Sequence, residues 1–241
     1  MRLCRPDLVV VATPTASHLA VIRAVLTAGR PRALLCEKPL ADGPREARRI
    51  VGLCRRRRCL LFVNYMRRSD VAVEEIRKRL ASGAIRRPLR GVVWYSKGLY
   101  NSASHFVNLL QYLLGDVTRV QTCGPARRGK SNDWEPDFRL SFKDGTMSFI
   151  AARSAPLFQN SVEWIAPNGR LRYERGGAEA FWEGAAGDPL FSDYTSLSRT
   201  PERLPSDFRR IQWHVADQLA RKLSGRPGRI CTGAEALKTI D

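Results

Sequence analysis

The sequence predicts an α/β chain, with a parallel sheet at its N-terminal end and then an α+β domain whose sheet is mostly antiparallel. Three observations carry this. Short aliphatic runs alternate with amphipathic helical stretches over residues 7–63, a β-α-β-α-β order that implies right-handed crossovers within one parallel sheet. After Asn64 the pattern turns to strand-like pieces separated by hairpin signals such as Lys143-Asp144-Gly145 and Pro167-Asn168-Gly169. The length of 241 residues allows one large domain or two small ones, each with its own core.

Taken in order, residues 7–13 (DLVVVAT) form a buried strand that Pro14 breaks. Residues 18–28 read as a helix, with Leu19, Ile22, Val25 and Leu26 at helical spacing and Gly29 as its stop. Residues 33–36 form a second buried strand, ending at Glu37-Lys38-Pro39. Pro44 opens a helix over 44–57, whose apolar stripe is Ala47, Ile50, Val51 and Cys54. Residues 59–63 form the third buried strand. Beyond it come a helix over 70–82 closed by Gly83, a strand over 89–96 and an apolar helix over 103–114. Strand-like segments follow at 117–123, 137–142, 146–152, 160–166 and 169–173. The Gly-, Pro- and Ser-rich stretch 176–206 has weak periodicity and reads as a long loop; a last helix covers about 207–224. The expected domain boundary lies between residues 64 and 65, with 65–241 forming the second domain.

Composition excludes several classes. No stretch approaches the length of a membrane-spanning helix, and the N-terminal apolar run is too short for a secretory core, so the expected compartment is the cytoplasm. The six cysteines show neither C-x-x-C spacing nor a zinc-type Cys/His pattern, so neither a metal site nor a disulfide framework is expected. Cys36 and Cys59 sit in apolar runs, as small buried hydrophobes do. The formal net charge of +18 raises the question of nucleic acid or another acidic polymer. The arginine runs, densest at Arg55–Arg58, are scattered along the chain, which favours a solvated surface and disfavours a nucleic-acid role.

Ligands in open α/β sheets gather beyond the C-terminal ends of the strands. Three such ends carry unusual polar residues: Thr13-Pro14, Glu37-Lys38-Pro39 and Asn64-Tyr65. Lys38 follows a buried strand directly. It reads either as a solvated charge or as a positioned lysine able to hold a ribose hydroxyl and relay a proton. His105 opens the apolar helix after Asn101-Ser102-Ala103-Ser104. It reads either as a capping or core residue, or as a neutral proton acceptor kept so by free N–H groups at the helix start. His18 stands where it lines the same cleft as Thr13-Pro14, and His214 reads as a packed helix residue.

The strings DLVVVATPTASH (7–18), CEKPLA (36–41), VNYMRR (63–68), ASGAI (81–85) and SASHFVNLLQYLLG (102–115) resemble, in order and spacing, the Gfo/Idh/MocA family of oxidoreductases. The likeness covers residues 1–125 and implies a Rossmann-type first domain, an open-faced sheet in the second and a nicotinamide cofactor, NAD or NADP. It also implies a small sugar or polyol substrate and a homo-oligomer formed through the open sheet face. By the same resemblance Thr13, Pro14, His18, Glu37, Lys38 and Asn64 bind the cofactor, and Arg67, Lys97, Asn101 and His105 bind substrate. Lys38 and His105 are then the catalytic pair, with His105 accepting the hydroxyl proton during hydride removal.

Two departures stand out. Many members carry Asp four residues before the histidine, where this chain has Asn101, which cannot stabilise an imidazolium as a charge. The G-x-G-x-x-G loop, which brings backbone close to a pyrophosphate at a helix N-terminus, does not occur in the chain. The first domain is therefore expected to be a partial Rossmann sheet, N-terminally truncated. The alternative to an oxidoreductase is a catalytically inactive remnant or scaffold subunit of the family, and behind both stands a basic nucleic-acid binder.

Overall fold

The computed structural model describes residues 5–129, 133–153 and 158–241; of the cysteines, Cys4 lies outside them. In chain order the elements begin β1 (Leu8–Val11), α1 (His18–Ala28), β2 (Ala33–Cys36), α2 (Pro44–Arg56) and β3 (Leu60–Val63). They continue with α3 (Val71–Ser82), β4 (Leu89–Tyr95), α4 (Ser104–Leu114) and β5 (Arg119–Thr122). Strands β6 (Phe138–Phe142), β7 (Gly145–Ala151), β8 (Ser161–Ala166), β9 (Gly169–Glu174), β10 (Glu179–Gly187), β11 (Thr195–Leu197) and β12 (Glu202–Arg203) follow. The chain ends with α5 (Ile211–Leu223), β13 (Cys231–Thr232) and α6 (Gly233–Ile240). It divides into two compact units, one of residues up to Ser69 together with Gln212–Asp241, the other Asp70–Ile211.

The first unit holds a four-stranded sheet in the order β1-β2-β3-β13, parallel except for β13. Strands β1 to β3 are apolar throughout, and β2, in the middle, is buried on both faces. Leu34, Cys36, Leu61 and Val63 point to the side packed by Ile22, Ala47 and Ile50. Ala33, Leu35 and Phe62 point to the side packed by Val215 and Leu219 of α5. Alternate side chains of each strand thus enter different cores, as a period of two requires. Fully burying one such Leu or Ile contributes about 1.5–3 kcal/mol, so packing rather than strand propensity holds these four-residue strands. Burial also pushes the Cys36 and Cys54 thiols up to about 12 and Cys59 to about 11, consistent with the reading of Cys36 and Cys59 as small hydrophobes. The outward arginines of α2 and the turn after it, Arg45, Arg48, Arg49 and Arg55–Arg58, are all exposed.

Residues 212–241 differ from the sequence expectation, which grouped them with the second domain. Cys231 pairs with Val63 and Thr232 with Phe62, antiparallel, while Ala236 packs into the first unit's core. A two-residue strand has no periodicity to read, so the return to the first sheet is invisible before the pairing is known.

The second unit is built on a nine-stranded sheet in the order β11-β10-β9-β8-β4-β7-β6-β5, with β12 paired to β10. Only β4 and β7 pair in parallel. Helices α3 and α4 cover one face through Ile76, Phe106, Leu109 and Leu110. The other face carries exposed apolar side chains, among them Trp94 and Ile165. Asp70 caps α3 by accepting from the Ala72 amide, and Gly83 ends it in the left-handed conformation.

The expected loop over 176–206 is a correction. It contains β10, the longest strand, which pairs with β9 over six residues. Its sequence EAFWEGAAG ends in small residues and lacks clean alternation. Backbone pairing to an existing edge, together with Arg170 and Arg172 of β9 holding Glu183 of β10, supplies what local propensity does not.

Candidate functional site

The parallel register of the first unit sets Val11, Cys36 and Val63 in one row. The segments that follow them, at Thr13-Pro14, Glu37-Lys38 and Asn64-Tyr65, therefore leave the sheet together at its C-terminal edge. The ladder runs one step further, with the Glu37 amide donating to Val11 O at 2.9 Å and the Asn64 amide to Cys36 O at 2.8 Å. Here the structure brings together the strand-end residues that the sequence singles out. Thr13 and Pro14 are exposed, Glu37 and Lys38 half-buried and Asn64 buried.

Asn64 is the best-defined member. Its Nδ2 donates to Glu37 Oε1 at 2.7 Å and to Gln212 Oε1 at 3.3 Å. An ionised carboxylate only accepts, so Glu37 fixes which end of the amide faces it. The Oδ1 atom is then left buried with no donor among the described residues. A buried unsatisfied carbonyl oxygen carries a desolvation cost of about 1–3 kcal/mol. An N–H or O–H from a ligand relieves it, and a nicotinamide carboxamide or a ribose hydroxyl presents such a donor. The residues present thus fit the cofactor that the sequence resemblance implies. Sequence reasoning missed Gln212, which opens α5 148 positions away from Asn64 and carries no signal of its own.

His18 takes a different place from the one expected. It is fully buried, with Nδ1 3.2 Å from Leu40 O and Nε2 2.9 Å from Thr13 O. The ring ties the loop after β1 to the loop after β2, so it shapes the strand ends from beneath. Replacing it with alanine removes these contacts and leaves a void. His18→Ala is expected to cost about 2–4 kcal/mol, read from denaturant unfolding of the two chains; a loss below half a kcal/mol would make the clasp irrelevant to stability.

Arg67, read from the sequence as a substrate contact, is only 6% exposed. Its neighbour Arg68 is also buried and forms an ion pair with Glu235 at 2.6 Å. Glu235 in turn completes the capping box of α6 with Thr232. Burial opposes ionisation of Glu235, but Arg68 and the Thr232 amide outweigh it and hold the carboxyl below the usual carboxylate range.

In the second unit, Lys97, Asn101 and His105 share one continuous segment. Lys97 is exposed, and its Nζ sits over the Phe158 ring, 4.9 Å from the centroid. A π-type turn over Leu99–Ala103 runs directly into α4. The amides of Ser102 and Ala103 both donate to Gly98 O. His105, 7% exposed, therefore follows a turn whose amides are already satisfied. This corrects the expectation of free N–H groups beside the ring, because the positive end of the continuous helix lies near Leu99. There Asp133 Oδ2 accepts from the Asn101 amide at 2.9 Å. Gly98, at φ +97, lies so close that a Cβ would come within 2.2 Å of that carboxylate oxygen. Nothing in the sequence around Asp133 announces this cap.

Residues 2–65 match a family described as an oxidoreductase family with an NAD-binding Rossmann fold. Inositol 2-dehydrogenase 1 of Saccharopolyspora erythraea is 40% identical over 85 residues, 34% of this chain and 24% of that protein. Inositol 2-dehydrogenase 2 of the same organism is 34% identical over 145 residues, 55% of this chain and 42% of that protein. The matched stretches thus span less than half the length of these relatives. An oxidoreductase from Agrobacterium radiobacter, solved in complex with NAD+, L-tartaric acid and magnesium, has a similar fold, with a TM-score of 0.70. The identity is 20%, and the match covers 97% of this chain and 75% of that one.

Proposed function

We propose, because the chain belongs to the Gfo/Idh/MocA family of NAD-binding oxidoreductases, that it transfers hydride between NAD or NADP and a sugar, nucleotide-sugar or polyol. The observation that carries this reading is the level row of strand ends with the Asn64 acceptor buried among them. When bound, the nicotinamide ring supplies the two-electron hydride acceptor. The chain's own residues do the rest. Thr13 and Pro14 line the nicotinamide, His18 holds their loop in place, and Asn64, oriented by Glu37 and Gln212, accepts a hydrogen bond from the cofactor. Lys38 hydrogen-bonds a ribose hydroxyl and the substrate hydroxyl, which lowers the cost of removing that proton. His105 would accept the hydroxyl proton of the substrate during its oxidation to a carbonyl. Arg67, Lys97 and Asn101 position the substrate's other hydroxyls.

The reading includes self-association through the open face of the second unit's sheet, where Trp94 and Ile165 are exposed, and a cytoplasmic location. Among the described residues no helix is long and apolar enough to cross a membrane. A second reading, a non-catalytic member of the family, is favoured by one residue, Asn101, in the place of an orienting carboxylate.

Titration of the chain with NADH and then NADPH, followed by nicotinamide fluorescence and melting temperature, tests the first reading. Saturable binding is expected, with stabilisation approaching about 2.7 kcal/mol at a hundredfold excess over Kd. Asn64→Leu is expected to weaken it. A folded chain that binds neither nucleotide overturns this reading in favour of the second.

A further inference from the structure

The open face of the nine-stranded sheet carries a cavity of about 290 Å³ lined by Arg90, Gly91, Arg139, Thr146 and Ser148. Strand register explains why these side chains meet. Arg90 of β4 stands opposite Thr146 of β7, and Arg139 of β6 stands opposite Ser148 of β7. With β7 between β4 and β6, the two arginines flank it diagonally, and the two hydroxyls lie between them on the same face. Arg139 Nε already leans inward, donating to Ser148 Oγ at 3.4 Å.

Charge separates this cavity from the rest of the face. Two strands away, Arg170 grips Glu183 with two hydrogen bonds of 2.8 and 2.9 Å. Arg172 shares Glu183 and also holds Glu174. Glu163, the outward carboxylate of the neighbouring β8, is itself engaged by Arg170 at 3.7 Å. Glu163, Glu174 and Glu183 are thus committed to β9, and Glu179 is held by Arg175 and Arg203. Among the described residues no ion pair involves Arg90 or Arg139.

We infer that this cavity binds the phosphate group of a small phosphorylated metabolite. Two guanidinium forks match phosphate oxygens bidentately, and Thr146 and Ser148 add hydroxyl donors. The volume of about 290 Å³ exceeds what a phosphate group fills, which leaves room for the organic part of an ester beside it. The cavity opens on the face proposed above for self-association, but the binding claim does not depend on that assembly or on hydride transfer.

The test is calorimetric titration of the full chain with glycerol 3-phosphate and with inorganic phosphate at matched ionic strength, with sedimentation run in parallel. Saturable binding is expected, tighter for the ester. Arg90→Gln and Arg139→Gln should each weaken it at least fivefold, and the double variant should abolish it. Arg119→Gln, which alters a nearby exposed charge on β5, should leave it unchanged, and NADH binding should be the same in all four variants. Equal loss in the Arg119 variant would mean general charge attraction and would overturn the site. So would phosphate binding that survives the double substitution. A changed sedimentation profile in the double variant, with no anion binding to the parent, would make the arginine pair an assembly contact instead.

Discussion

His105→Ala is expected to lower kcat for polyol or sugar oxidation by about 10²–10⁴-fold, the range that a positioned proton acceptor contributes. KM should change little, because the imidazole does its work as the proton leaves and not in the ground state. Added imidazole should restore part of the rate, which a purely structural loss would not allow. Lys38→Ala is expected to lower kcat by a similar factor and also to raise KM for the nucleotide, since this side chain is assigned both ribose and substrate contacts. Steady-state assays of the two variants against inositol and a panel of aldoses decide the matter. If turnover in both is the same as in the parent chain, the proposed proton path is wrong.

The second large effect concerns stability. Glu235→Ala removes the carboxylate facing Arg68, whose side chain is only 3% exposed, and dismantles the capping box at Thr232. Breaking a fully buried pair costs about 3–5 kcal/mol. The Glu235 side chain is 41% exposed, so solvent softens the loss, and about 2–4 kcal/mol is expected once the cap is included. The pH dependence has a defined sign. The folded state holds Glu235 below its ordinary value, so its contribution is fully present above the unfolded pKa of about 4.3 and fades as pH falls through the folded value. Denaturant curves for the parent and Glu235→Gln should therefore lie well apart at pH 7 and converge below about pH 4. Curves that stay equally separated at low pH would show that the ion pair is not the source.

The first unit was largely legible because its strands and helices differ in period. Ala47, Ile50, Val51 and Cys54 can share a face only on a helix, and the run Ala33–Cys36 suits only a strand buried on both sides. The candidate residues at the strand ends followed from that topology, since parallel register levels Val11, Cys36 and Val63, and Thr13, Glu37 and Asn64 follow them within two residues. What stayed hidden is contact between distant segments. Gln212 reaches Asn64, Asp133 caps the turn at Asn101, and Glu235 meets Arg68. None of these pairs leaves a local pattern, because each depends on where a chain returns. The placement of His18 shows the same limit from the other side: its position beside the motif was visible, but whether the ring faced the cleft or the protein interior was not.

The pairing of β13 with β3 bears on how the chain is made. The first sheet is assembled from two stretches that residues 70–211 separate, whereas the second unit is contiguous. On the ribosome, β4 to β12 can close their sheet while β13 and α6 are still unsynthesised. The cost of closing a long loop grows only logarithmically with its length, so the delay is one of timing more than of stability. Until Cys231 and Thr232 are made, Leu60–Val63 presents an unpaired edge, and β13 is what seals it.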